Sequence, residues 1–248
     1  MDAIIENNNG GNANRIGTPS IPTAWDFNPD LIYPFDPAIA NDLLSEAGWE
    51  DTNDDGIREC VACAQMDIDP AYEGTDMTVV LNASDGQSEN GTNRIEFIAQ
   101  GMRDVGINAE TNYIDWGSAF IPALLGQSFD MAILSWSVGL PLDPDNRDIF
   151  CISEDVPEAG FNFGSYHNET VEQLYADAVH PALTDGCTHE GRKAIYDQIN
   201  EIMFEELPYM FMYSSLQMTA AQASLENWDP AAFSRTWQED AWSIEPSN

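Results

Sequence analysis

The chain has 248 residues, 43% of them hydrophobic, and carries 43 acidic side chains against 8 lysines and arginines, a formal net charge of −35. That length and apolar content suffice for the core of one large domain, and the charge leaves no basic patch with which to hold nucleic acid or an anionic membrane surface. No stretch reaches the roughly 18 apolar residues of a membrane span. Met1 opens directly on polar sequence without a secretory signal, which reads as an internal segment of a longer gene. The acids are scattered, so a solvated acidic face suited to salty water is the expectation.

Taken in chain order, residues 1–34 are rich in Asn, Gly and Pro and predict an extended connector. Asp36-Pro37 supplies an N-cap and a first-turn proline for a helix carrying Ile39, Leu43, Leu44 and Ala47, with Gly48 as its stop. An acidic turn follows at 51–59, then a strand at 77–81 and an amphipathic helix at 92–105 ending at Gly106. Residues 108–114 predict a strand, 116–125 a helix and 129–135 a buried strand. This alternation implies a mixed α/β layer. Residues 136–167 are loop-rich, and a loop of that length inside a domain is a functional candidate. Helices are expected at 169–179 and 189–205 and a strand at 209–213. The tail, 216–248, carries Trp228, Trp237 and Trp242 without clear periodicity.

Four cysteines suit an exported protein with disulfides, and pairing Cys60 with Cys63 and Cys151 with Cys187 is the simplest connectivity. A zinc knuckle or a redox Cys-x-x-Cys has the wrong surroundings here. Asp51, Asn53, Asp55 and Gly56 resemble the start of a calcium loop, but its twelfth position falls on Ala62, so Glu59 would have to substitute for the missing glutamate; otherwise this is an Asx-rich turn. His167, His180 and His189 have no metal spacing, and the sequence holds no nucleophile elbow, zincin motif or phosphate loop. The chain is therefore read as a non-enzyme.

Several segments, in order, resemble the bacterial extracellular solute-binding proteins of family 5. Tyr33-Pro34-Phe35-Asp36-Pro37 through Ala47-Gly48-Trp49 is similar to the family's "YDPxxAxxLLxEAGW", and the turn from Asp51 to Arg58 to its "DTDGDGIR". Phe129-Asp130-Met131 to Trp136, then Asp143-Pro144-Asp145, resemble "yDlaixgW" and "DPD". Phe161-Asn162-Phe163 to Asn168 resembles "NfxgYsNpevD", and Arg192 to Tyr196 with Leu207-Pro208-Tyr209 the closing "RkaiY…lPyiplY".

The resemblance covers roughly residues 30–215 and implies a type II periplasmic-binding-protein-like, clamshell lobe, a mixed sheet flanked by helices, in a chain lacking the N-terminal lobe. Residues 1–34 would be the connector, 35–215 the ligand-binding lobe and 216–248 a return segment packing on the missing lobe. The implied activity is capture of a peptide or similar small solute for an ABC permease, outside the cytoplasm, with a lipid anchor at the missing N-terminus. Ligand-site candidates are Trp136, Trp116, Asp143, Asn162 and Tyr166. Ser137-Val138-Gly139-Leu140 lacks the acid that grips a peptide amine in the family, which unsettles recognition of the peptide terminus. The rival readings are a calcium-stapled extracellular interaction module and an α/β hydrolase. A lobe standing alone should expose an apolar face.

Overall fold

The computed structural model describes residues 1–65, 68–137, 143–216, 218–231 and 236–244. Residues 138–140 of the expected ligand loop, and Pro141, lie outside them. The chain opens with helix α1, Asp2–Asn9, not with extended chain. Ile4 is buried, and Gly10 stops the helix in the left-handed region, its N–H bonded to the Ile5 carbonyl. The Asn-rich composition hid this helix; asparagine is a weak helix former, but burial of one isoleucine and a glycine cap outweigh that preference.

Strand β1, Ala13–Arg15, then pairs antiparallel with Tyr213–Ser215 and joins the two ends of the lobe. Thr18, Ser20 and Asp26 are buried, and Asn200 donates to the Asp26 carboxylate at 3.0 Å, so this segment packs on the body of the protein.

Helix α2, Pro37–Glu46, is capped as the sequence predicts: the Asp36 carboxylate accepts from the N–H groups of Ala38 and Ile39. None of its residues is buried, and Phe35, Ile39 and Leu43 form an exposed apolar stripe. Strands β2, Trp49–Glu50, and β3, Glu59–Cys60, form an antiparallel ribbon around the acidic turn. Arg58 stitches the ribbon to the body. Its guanidinium donates to Val105 O at 2.8 Å, Trp49 O at 2.7 Å and Asn41 Oδ1 at 2.6 Å. Gly106, at φ 88°, makes room for it, since a Cβ there would meet Arg58 Cγ at 2.8 Å.

Cys60 and Cys63 are disulfide-bonded and fully buried. The second expected bridge is not formed: Cys151 is a buried free thiol at the end of a short helix, and Cys187 an exposed one. Burial, reinforced by the nearby Glu172 charge, pushes the Cys151 thiol up to about 12, so it resists the ionisation that exchange requires. Replacing Cys60 and Cys63 together by serine should cost about 2 kcal/mol from the closed loop alone; urea unfolding with and without reductant measures it.

The central layer is a parallel three-stranded sheet. Strands β4, Thr78–Ser84, β5, Asn108–Ile114, and β6, Met131–Ala132, lie in the order β5-β4-β6. Helix α3, Glu89–Arg103, starts at the Ser88 cap and lays Ile95 and Ala99 inward, Ile95 packing against Leu81 and Ala83 of β4. After β5 a π-helical turn, Trp116–Phe120, leads into α4, Ile121–Leu125. The strand predicted over 129–135 pairs only at β6.

A second core forms where α5, Arg147–Phe150, α6, Glu169–Ala178, and α7, His189–Glu206, pack Phe150, Val171, Tyr175, Tyr196, Ile199 and Met203 together. Strand β7, Tyr213–Ser215, is shifted from the predicted 209–213 because Tyr209 and Phe211 turn in to pack against Phe150. The tail forms one ribbon, β8, Leu225–Glu226, with β9, Ser243–Ile244.

Candidate functional site

In an open parallel sheet, ligands meet the carboxyl ends of the strands. An exposed tryptophan lies beyond each of the two strands flanking β4, Trp116 after β5 and Trp136 after β6. Beyond β5, Asp115 accepts from the Ser118 N–H at 2.7 Å and the Ser118 hydroxyl at 2.5 Å, fixing the turn that carries Trp116. Trp116 stacks on Phe120 with ring centroids 5.3 Å apart. Beyond β6 the chain runs on extended, Ile133 N–H bonding to Asn82 O at 3.0 Å, and delivers Trp136 over Phe163.

Trp136 stacks on Phe163 at 5.8 Å and meets the edge of Phe161 at 6.0 Å. Phe120, Leu124 and Phe163 belong to one buried cluster, so each tryptophan rests on a member of the same support. Trp116, Trp136 and Phe161 remain 53%, 41% and 44% exposed, an aromatic surface with a rigid backing. Such rings can flank apolar side chains or lie on peptide planes. Burial pushes the Tyr209 phenol up to about 12.

The polar candidates are occupied by structural contacts. Asp143 is held bidentately by Arg192, at 2.6 and 2.8 Å. Arg192 sits over the rings of Trp25 and Tyr196, at 5.4 and 5.0 Å, and its Nε donates to Ala178 O at the end of α6. Its hydrogen bonds, then its charge, hold the Asp143 carboxyl below the usual aspartate range.

Asn162 is buried, its amide donating to Cys151 O at 3.1 Å and Tyr166 O at 2.8 Å while its oxygen accepts from Tyr166 N–H. With its side-chain amide and oxygen bonded to backbone, Asn162 ties the loop down. Tyr166 donates to the Glu206 carboxylate at 2.5 Å, and burial followed by that carboxylate raises its pKa.

At the acidic turn, Asp51, Asp55 and Glu59 bring carboxylate oxygens within 4.8 Å of one another. The Asn53 amide donates to Glu59 at 2.8 Å and its oxygen accepts from the Asp55 N–H. Glu59 is buried and takes both the N–H and the hydroxyl of Thr52, so the sequence's proposed substitute already closes the turn. Sequence reasoning missed Trp25, Arg192 and the Phe161–Phe163 pair. The alternation Phe161-Asn162-Phe163 was a usable signal for the last, since residues two apart in extended chain share a face.

The parallel sheet, with helices packed on it, matches lobes of type II periplasmic binding proteins. The family model for the middle region of bacterial extracellular solute-binding proteins, family 5, matches residues 1–156, and the chain belongs to that family. It is 26% identical over 215 residues to the oligopeptide-binding protein AppA of Bacillus subtilis, covering 85% of this chain and 35% of that one. It is also 25% identical over 190 residues to di/tripeptide-binding protein 1 of Pseudomonas aeruginosa, covering 75% and 30%.

The chain thus spans about a third of the length of the curated relatives it matches. The structure of AppA in complex with a nonapeptide superposes with a TM-score of 0.73 at 23% identity, over 99% of this chain and 45% of that one. That of NikZ from Campylobacter jejuni in complex with Ni(L-His) superposes with 0.72 at 22% identity, over 98% and 46%. These likenesses establish the fold.

Proposed function

We propose that this chain is one lobe of a two-lobed solute-binding protein that captures a peptide or similar small solute and presents it to the permease of an ABC importer, outside the cytoplasmic membrane. The observation that carries the proposal is the pair of exposed tryptophans beyond β5 and β6, braced on one buried cluster. A ligand closed between this surface and a second lobe would lose water against rigid rings while hinge closure signals the permease. The peptide-binding relatives support a peptide cargo. Among the described residues no helix is long and apolar enough to cross a membrane.

Titration calorimetry of the full-length gene product against short peptides, an oligosaccharide and a nickel–histidine complex tests this reading. Micromolar binding of peptides alone is the expected result. Binding of the sugar or the chelate instead would reassign the cargo, and no binding by any class would remove the proposal.

A cation at the acidic turn is a subsidiary proposal, supported by the clustering of Asp51, Asp55 and Glu59. Millimolar calcium should raise the Tm by several degrees through binding to the folded state, and Asp55→Asn should abolish the rise. An unchanged Tm leaves the turn closed by its own hydrogen bonds.

A further inference from the structure

The aromatic surface is built from an acidic stretch of chain. From residue 104 to residue 191 the sequence holds no lysine and a single arginine, Arg147, with aspartate and glutamate scattered throughout. This stretch supplies Trp116, Trp136 and Phe161, together with β5 and β6. Arg147 is committed to Asp145, its Nε donating at 2.8 Å and its Nη2 at 2.6 Å. Arg192, just past the stretch, is committed to Asp143. The stretch therefore offers no unpaired guanidinium or ammonium to an anionic solute at these rings.

It does offer a carboxylate. Asp115 is exposed and immediately precedes Trp116. The Ser118 N–H and hydroxyl both donate to Asp115 Oδ1, which pins the carboxylate at the start of the turn that begins with Trp116. Among the described residues no hydrogen bond is made to Oδ2. The Ser118 hydrogen bonds hold the carboxyl below the usual aspartate range, so it is ionised at neutral pH.

We infer that the aromatic surface selects a positively charged cargo, a peptide bearing a lysine or arginine side chain, with Asp115 as the specificity-determining residue. The inference rests on the capture reading above and names the chemistry of what is captured. Ring faces attract cations through their quadrupole, most strongly once the cation has left water. A neighbouring carboxylate adds a charge-assisted hydrogen bond. Both attractions are lost for a glutamate side chain, which is repelled by the same stretch. Closure of a second lobe would exclude water and strengthen each effect. The net charge of −35 draws cations to the whole surface, and Asp115 adds selectivity at one place on it.

The experiment is calorimetry of the full-length gene product with tripeptides of alanine in which one residue at a time is replaced by lysine, glutamine or glutamate. At one position at least, lysine should bind about tenfold more tightly than glutamine, and glutamate more weakly than either. Asp115→Asn keeps an oxygen to cap the turn but removes the charge, and should narrow the lysine-to-glutamine ratio to about threefold at that position. Asp104→Asn removes the same charge before the amino end of β5 and should leave the ratio as it is. Equal binding of the three side chains, or a preference for glutamate, overturns the inference and leaves peptide capture standing. A ratio narrowed as much by Asp104→Asn as by Asp115→Asn belongs to the overall charge and overturns the role of Asp115. No binding by any tripeptide overturns peptide capture and this inference together.

Discussion

Arg192→Ala is expected to lower the unfolding free energy by about 3 kcal/mol, the lower end of the range for breaking a buried ion pair, because the partner Asp143 is half in water. The arginine side chain is 8% exposed and the aspartate 43%. Removing it strips the last carbonyl of α6 of a donor, leaves the Tyr196 hydroxyl without its arginine neighbour and vacates the space over Trp25. Asp143→Asn should cost less, about 1–2 kcal/mol, since the guanidinium keeps its rings and the α6 carbonyl. Urea unfolding at neutral pH measures both, and a loss under 1 kcal/mol for Arg192→Ala would show that α7 holds without the pair.

The pH dependence has a definite sign. Arg192 depresses the Asp143 pKa in the folded state, so the pair's contribution is complete above the unfolded aspartate value of about 3.9 and fades as pH falls through the lower folded value. The stability difference between wild type and Arg192→Ala should therefore shrink in acid and stay flat between neutral and mildly alkaline pH.

Features written in local chemistry were legible before the structure. The Asp36-Pro37 start of α2 and the Gly106 turn each depend on a few adjacent residues, and each forms. Trp116 and Trp136 stood out in the sequence because each lies just beyond a predicted strand, and the structure leaves both exposed. The arginine partner of Asp143 lies 49 residues away on α7, and no pattern within the loop announces it. The same holds for Cys151 and Cys187: an even cysteine count suggested a bridge, but the first thiol is walled into the α5–α6 core while the second faces solvent. Asn162 lies in a loop, and its burial turns its side-chain hydrogen bonds inward onto backbone.

Trp136→Ala should weaken ligand binding by the full-length gene product about 30-fold, or about 2 kcal/mol, the scale of a tryptophan anchor at an interface. The ring is preorganised by Phe163 beneath it and Phe161 at its edge, so the free protein has already lost the freedom that binding would otherwise remove. Its exposed portion is what a ligand would cover; the covered portion contributes to folding, and the variant should also lose about 1 kcal/mol of stability. Calorimetry and melting therefore separate the two roles. Trp136→Phe, which keeps a ring on Phe163, should recover most of the stability but only part of the affinity. Trp116→Ala should also weaken binding. If both tryptophans line one ligand through their common support, the double variant should lose less than the sum of the single losses. Additive losses would mean that each ring meets a separate part of the ligand, and no loss from either would place the ligand elsewhere on the lobe.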